Sequence, residues 1–213
     1  MRQYSIDARN IKNPIYPCPI KMGGKNANGQ MLSIGNYYLS LNGKPFFGIC
    51  GEAHFSRMNR ELWEDEIIKM KAGGLNIIAT YIFWIHHEEI EGTFDFSGNK
   101  DLRIFLELCK KNHMYVILRI GPFSHGECRN GGFPDWIYGQ PFDIRCDDPS
   151  YLYYTRRFYE QIYQQAKGLL FKDNGPVIGV QLENEHEHAS CPWEMTTENS
   201  KEWVVSGHDG KNH

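Results

Sequence analysis

Residues 59–84, NRELWEDEIIKMKAGGLNIIATYIFW, decide the fold. The first part places Trp63, Ile67 and Met70 at i, i+4 and i+7, with Asn59 in front as an N-cap and Gly73-Gly74 behind as a stop, so it predicts a helix bounded at both ends. The second part, LNIIATYIFW, is apolar almost without alternation, the pattern of a parallel strand covered on both faces. A helix running straight into such a strand is one unit of a β/α alternation.

The same alternation extends in both directions. Upstream, PFFGICGEAHF (45–55) is a short apolar run that predicts a first strand. Downstream, DLRIFLELCKKN (101–112) carries Leu102, Phe105, Leu106 and Cys109 on one helical stripe, and MYVILRIG (114–121) predicts a third strand. An irregular stretch holding several Gly and Pro runs from Pro122 to about Pro149. Asp148 as N-cap and Pro149 at the first position then open a helix with Phe158, Ile162, Ala166 and Leu169 on one face. VIGVQLENE (177–185) is the fourth strand.

Repeated β-α-β-α with nearly continuous apolar strands implies an α/β fold with a parallel sheet, either a (β/α)8 TIM-type barrel or a doubly wound open sheet. Residues 45–213 hold four such units, whereas a complete barrel takes roughly 250 residues. The expectation is therefore a barrel truncated to about its first four units over 45–213. Residues 1–44 form an extension whose end, GNYYLSLNGKPFF, reads as a small β hairpin turning at Asn42-Gly43. A sheet cut after its fourth strand would leave an edge and an apolar face open, so self-association through the half-barrel edge is expected.

Composition narrows the function classes. With 23 basic and 26 acidic side chains mixed along the chain and a net charge of −3, there is no basic stripe for nucleic acid and no polybasic membrane anchor. No run of about 18 apolar residues predicts a membrane span. The start, MRQYSIDARN, has no signal-peptide pattern, so the chain as given reads as cytoplasmic. The six cysteines lack a close CxxC pair and are expected to be reduced thiols. Aromatic residues make up 14% of the chain, with five Trp, and such rings stack on the apolar faces of sugars and bases.

In parallel α/β folds the working residues sit at the carboxyl ends of the strands. Those ends carry Glu52 and His54, then Tyr81, Trp84, His87 and Glu88, then Arg119, His125 and Glu127, and finally Glu183, Asn184 and Glu185. Each alone is a loop residue or a hydrogen-bond partner; together they crowd one rim with acids, histidines and aromatics. Carboxylates across a cleft suit glycoside hydrolysis, in which one acid protonates the leaving oxygen and another acts as nucleophile or base. Strand alternation points Glu183 and Glu185 to one side and Asn184 to the other. A rival is a metal-dependent α/β enzyme, with His186 and His188 flanking Glu187 and joined by His54 and His125.

Five motifs in order, LWEDEIIKMKAGGLNIIATYIFW, HEEIEGTFDFSGNKDL, LRIGPF, GGFPDW and GPVIGVQLENE, resemble the N-terminal half of the catalytic barrel of glycoside hydrolase family 35, the retaining β-galactosidases. The resemblance covers about residues 35–190. It implies hydrolysis of terminal β-D-galactosides or related β-glycosides with retention, an oligosaccharide or β-galactoside substrate, and no cofactor or metal. By the same resemblance Glu185 is the acid/base, Asn184 binds the sugar near its 2-hydroxyl, and Tyr81 and Glu127 line the galactose pocket. The family's nucleophilic Glu lies on a later strand, beyond His213. The chain departs from the family pattern at His186, where an aromatic is usual, at Cys128, where Trp is usual, and at Ile85, where Asn is usual; the last two departures bear on the exact sugar. The alternative reading is a carbohydrate-binding remnant that keeps the rim without turnover.

Overall fold

In a computed structural model of the chain, residues 14–18 and 22–185 are described. The chain divides into two compact units, with the break between Gly48 and Ile49.

The first unit holds a four-stranded antiparallel sheet in sequence order, β1 (Gly23–Lys25), β2 (Met31–Ile34), β3 (Leu39–Leu41) and β4 (Lys44–Phe46). The turn between β3 and β4 has Asn42 and Gly43 both at positive φ, 54° and 75°, the left-handed pair a two-residue hairpin demands. The expected hairpin is thus the second half of a larger sheet. Its return strand runs through Phe46, past the expected limit at residue 44, because Leu39 pairs with Phe46 and not with a nearer residue.

The second unit contains a parallel sheet of β5 (Cys50–Glu52), β6 (Ile77–Tyr81), β7 (Tyr115–Arg119) and β8 (Val177–Gln181), in that order. The order follows the sequence without reversal, whereas a doubly wound sheet reverses at a switch point. Side-chain caps mark three of the helical starts. Asn59 accepts from the Glu61 N–H and starts a single 3-10 turn that leads into α1 (Trp63–Ala72). A short α2 (Trp84–His87) follows β6. Asp101 accepts from the Ile104 N–H at the head of α3 (Leu102–Lys111), and Asp148 accepts from the Ser150 and Tyr151 N–H groups at the head of α4 (Pro149–Ala166). Leu169 is buried as expected but lies past the end of α4, after Gly168 takes a φ of 80°.

Burial explains the packing. All four stripe residues of α3 are inaccessible to solvent and join Trp63 and Ile67 of α1 and Phe158 and Ile162 of α4 in one core. β6 is buried at every position. β7 alternates, with Val116 and Leu118 turned into the helix-side core and Tyr115, Ile117 and Arg119 half-exposed. In β8 only Val177 is buried, and Val180 is 53% exposed. Coverage on both faces, the expectation for β6, holds there, whereas β5, β7 and β8 are each partly open among the described residues.

A buried carboxylate ties the outer layer together. Glu88 is fully buried and accepts from the Trp84 indole at 2.7 Å, the Gly92 N–H at 2.8 Å and Arg157 at 2.7 Å, while its carbonyl accepts from the Trp136 indole at 2.8 Å. Such a charge is tolerated inside only because its acceptor sites are filled.

Candidate active site

The sheet register brings the strand ends level. Tyr81, the last residue of β6, pairs with Arg119, the last of β7, and Arg119 pairs with Gln181, the last of β8. Three polar side chains therefore leave the sheet at one rim. The Arg119 guanidinium lies 3.7 Å from the centre of the Tyr81 ring, forms an ion pair with Glu52 at the end of β5, and donates to the Asn184 side-chain oxygen at 2.8 Å. The Tyr81 hydroxyl donates to the same oxygen at 2.8 Å, and Gln181 approaches it at 3.4 Å. Two firm donors on one amide oxygen fix which way the amide faces, leaving its two N–H groups to donate elsewhere.

Past Gln181 the strand geometry ends. Glu183 and Glu185 take left-handed backbone conformations, φ 55° and 49°, so the alternation expected for this segment does not apply. Glu183 turns inward, where it accepts from the Phe123 N–H at 3.2 Å, Arg145 at 2.9 Å and the Asn184 N–H at 3.3 Å. Burial raises the Glu183 carboxyl above the ordinary range, with Arg145 opposing. Glu185 is solvent-exposed. Its charge acts on Tyr81 and on Arg119. Burial first, then Glu185 and Glu127, push the Tyr81 phenol up to about 12, so it remains a hydrogen-bond donor across the neutral range.

Glu127 sits on the irregular stretch after β7, where His125, Gly126 and Glu127 have consecutive φ values of 53°, 52° and 48°. This sparsely populated backbone is pinned by Arg57, which donates to the Gly126 carbonyl at 2.6 Å and lies 4.3 Å over the Phe83 ring. A side chain at position 126 would also press within 3.0 Å of the Phe83 ring, so glycine suits the site twice over. Beside Glu127 opens a groove of about 540 Å³ lined by Arg57, His86 and Cys128 among others. Cys128 and Ile85 pack together in one small cluster with Tyr81 and Phe83. His54 accepts from the Tyr81 N–H at 3.3 Å, and burial followed by Arg57 lowers its pKa.

Tyr81, Asn184, Glu185 and Glu127 thus belong to one constellation, together with Arg119, Glu52 and His54. Other strand-end residues do not. Trp84, His87 and Glu88 are fully buried, because the chain folds into α2 directly after β6 and carries them under the outer helices. His87 stacks at 4.4 Å on Phe96, and burial lowers its pKa to about 4. Arg145 was not among the expected residues, since it lies in an aperiodic segment with no strand end to mark it. Among the described residues no three His, Cys, Asp or Glu side chains come together as a metal-binding group, and His186, Glu187 and His188 lie outside the described residues. Cys18, Cys50, Cys109, Cys128 and Cys146 are free thiols. Among the described residues no helix is long and apolar enough to cross a membrane.

The arrangement offers an exposed carboxyl on Glu185 beside an oriented amide, an un-ionised phenol and a second carboxylate, a set suited to binding a polyol and moving one proton. Known proteins resemble this chain in sequence and in fold. The β-galactosidase of Xanthomonas manihotis is 36% identical over 169 residues, which is 79% of this chain and 28% of that protein. The β-galactosidase of Homo sapiens is 38% identical over 167 residues, 77% of this chain and 25% of that protein. The chain accordingly spans about a quarter of the length of these curated relatives. Among solved structures, the exo-β-1,4-mannosidase Op5Man5 from Opitutaceae bacterium strain TAV5 superposes with a TM-score of 0.58 at 16% identity, covering 85% of this chain and 30% of that one. The β-galactosidase from the psychrophilic Marinomonas ef1 superposes with a TM-score of 0.54 at 14% identity, covering 75% and 25%. These two share its fold. The model for glycosyl hydrolases family 35 matches residues 38–209, and the chain belongs to that family.

Proposed function

We propose that the chain is the first half of the (β/α)8 barrel of a retaining glycosidase that hydrolyses terminal β-D-galactosides, with residues 1–44 and the strand completing its hairpin as a separate N-terminal domain. Glu185 is the general acid/base. Its carboxyl delivers a proton to the glycosidic oxygen as the bond from that oxygen to the anomeric carbon breaks, and a second carboxylate attacks the anomeric carbon to form a glycosyl-enzyme. Glu185 then takes a proton from the water that attacks the same carbon as the bond from that carbon to the second carboxylate breaks, which restores both carboxyls and the original anomeric configuration. The second carboxylate belongs to a later barrel strand, beyond His213.

The observation that carries this reading is the junction on Asn184. Tyr81 and Arg119 both donate to its oxygen at 2.8 Å, which supports a role for its N–H groups as donors to a sugar hydroxyl's oxygen. Tyr81 and Glu127 complete the sugar pocket, Glu127 as an acceptor for hydroxyl protons. The galactoside assignment draws on the β-galactosidase relatives. The half-barrel assignment draws on the sequential strand order, the half-exposed face of β7 and the exposure of Val180 in β8. An open β8 edge would also let isolated chains associate with one another.

The test is hydrolysis of a panel of aryl β-glycosides by the product of the complete reading frame and, separately, by the 213-residue chain. The expected result is galactoside-selective turnover with a β-configured first product by NMR in the former and none in the latter. Inverted product from the former would exclude the retaining mechanism, and turnover by the 213-residue chain would place the nucleophile within it.

A further inference from the structure

Arg145 lies between β7 and α4 and is 7% exposed. One of its guanidinium nitrogens, Nη2, donates to the Glu183 carboxylate at 2.9 Å, the Asn184 carbonyl at 3.1 Å and the Glu185 carbonyl at 3.4 Å. Its plane covers the Phe123 ring at 3.9 Å, and the Phe123 N–H donates to the other oxygen of Glu183. The Glu183 N–H donates to the Gly121 carbonyl at 2.8 Å, which also accepts from the Tyr159 hydroxyl at 2.6 Å. One side chain thus grips three successive residues of the segment that ends in Glu185.

That grip has a physical task. Two of the three residues hold left-handed backbone angles, which persist only where the surroundings over-determine them. Arginine fits because a planar guanidinium can stack on Phe123 and still reach several acceptors, whereas a lysine ammonium supplies charge without the stack. Arg145 is too buried to meet a substrate.

We propose that Arg145 is a positioning residue that sets the backbone from which the Glu185 carboxyl and the Asn184 amide enter the site, through its bonds to Glu183, Asn184 and Glu185. The inference rests on the reading of Glu185 as acid/base. A carboxyl displaced by about an ångström loses on the order of 100-fold in rate. The loss falls where proton delivery matters, on galactosides with poor leaving groups.

The test compares kcat/KM for an alkyl β-galactoside and for a dinitrophenyl β-galactoside, using the product of the complete reading frame and its Arg145→Lys, Glu183→Gln and Glu185→Gln variants. Arg145→Lys is expected to lower the alkyl value on the order of 100-fold and the dinitrophenyl value only a few-fold, a pattern Glu185→Gln shares. Should Arg145→Lys not fold, Glu183→Gln, which weakens the same ion pair, is expected to show the pattern. Equal losses on both substrates, or none, in the folded variants while Glu185→Gln discriminates would overturn the role of Arg145 alone. Absence of discrimination in Glu185→Gln, or of any turnover by the parent, would sink the acid/base reading and this inference with it.

Discussion

The Tyr81 hydroxyl donates to the Asn184 side-chain oxygen at 2.8 Å, joining residues 103 positions apart in the chain. The bond links the end of β6 to the segment after β8 and sits beside a second donor, Arg119, on the same oxygen. Tyr81→Phe removes one donor and leaves the other. The expected cost is about 1 kcal/mol in stability, a fall of about 2–4 °C in Tm. Thermal melts check it, and in the product of the complete reading frame kcat/KM on β-galactosides is expected to fall as well, because Arg119 is then the one close donor holding the amide. An unchanged kcat/KM would remove Tyr81 from the site.

His87 makes stability depend on pH. Its folded pKa of about 4 lies below the ordinary 6.5, burial being the main cause. As pH falls below 6.5 the unfolded chain takes up the proton first, so the contribution is complete above 6.5 and declines toward pH 4. The decline amounts to on the order of 3 kcal/mol. His87→Phe, which keeps a ring against Phe96, is expected to flatten that part of the stability curve in urea titrations between pH 4 and 7. An equally steep variant would assign the slope to other groups.

The pair between Arg157 and the fully buried Glu88 is expected to behave asymmetrically. Arg157→Leu strands a carboxylate in the core and should cost about 3 kcal/mol. Replacing both partners by apolar residues should cost less than the sum of the two single changes, which a double-mutant cycle measures. Strict additivity would mean that the Trp84 and Gly92 donors alone satisfy Glu88.

Among the described residues only Leu170 bridges the outer side of β8, at Val177, and isolated 213-residue chains are expected to associate through the rest of that edge, raising the scattering-derived mass with concentration. A monomer of unchanged mass at every concentration would argue that this edge is covered.

The architecture was legible where local chemistry repeats. Asn59 and Asp148 each cap a helical turn in the manner their side chains dictate, and the stripe from Leu102 to Cys109 faces the core as its spacing requires. Tyr81 and Asn184 could be placed because strand ends mark the rim. Other features escaped because they depend on distant partners. Glu88 reads as a rim acid until Arg157, 69 positions away, draws it inside. Glu183 follows strand alternation on paper, but its positive φ breaks the period and Arg145 pulls its carboxylate into the protein. Coverage of β8 on both faces could not be judged from apolar content, which does not say what packs on the second face.

The most direct test of the central claim is azide rescue of Glu185→Gln, made in the product of the complete reading frame and supplied with an activated aryl β-galactoside. Without a base to activate water the glycosyl-enzyme should accumulate, and azide, which needs no deprotonation, should restore turnover and give β-galactosyl azide. Turnover of that variant equal to the parent's, with no azide adduct, would contradict the assignment of Glu185.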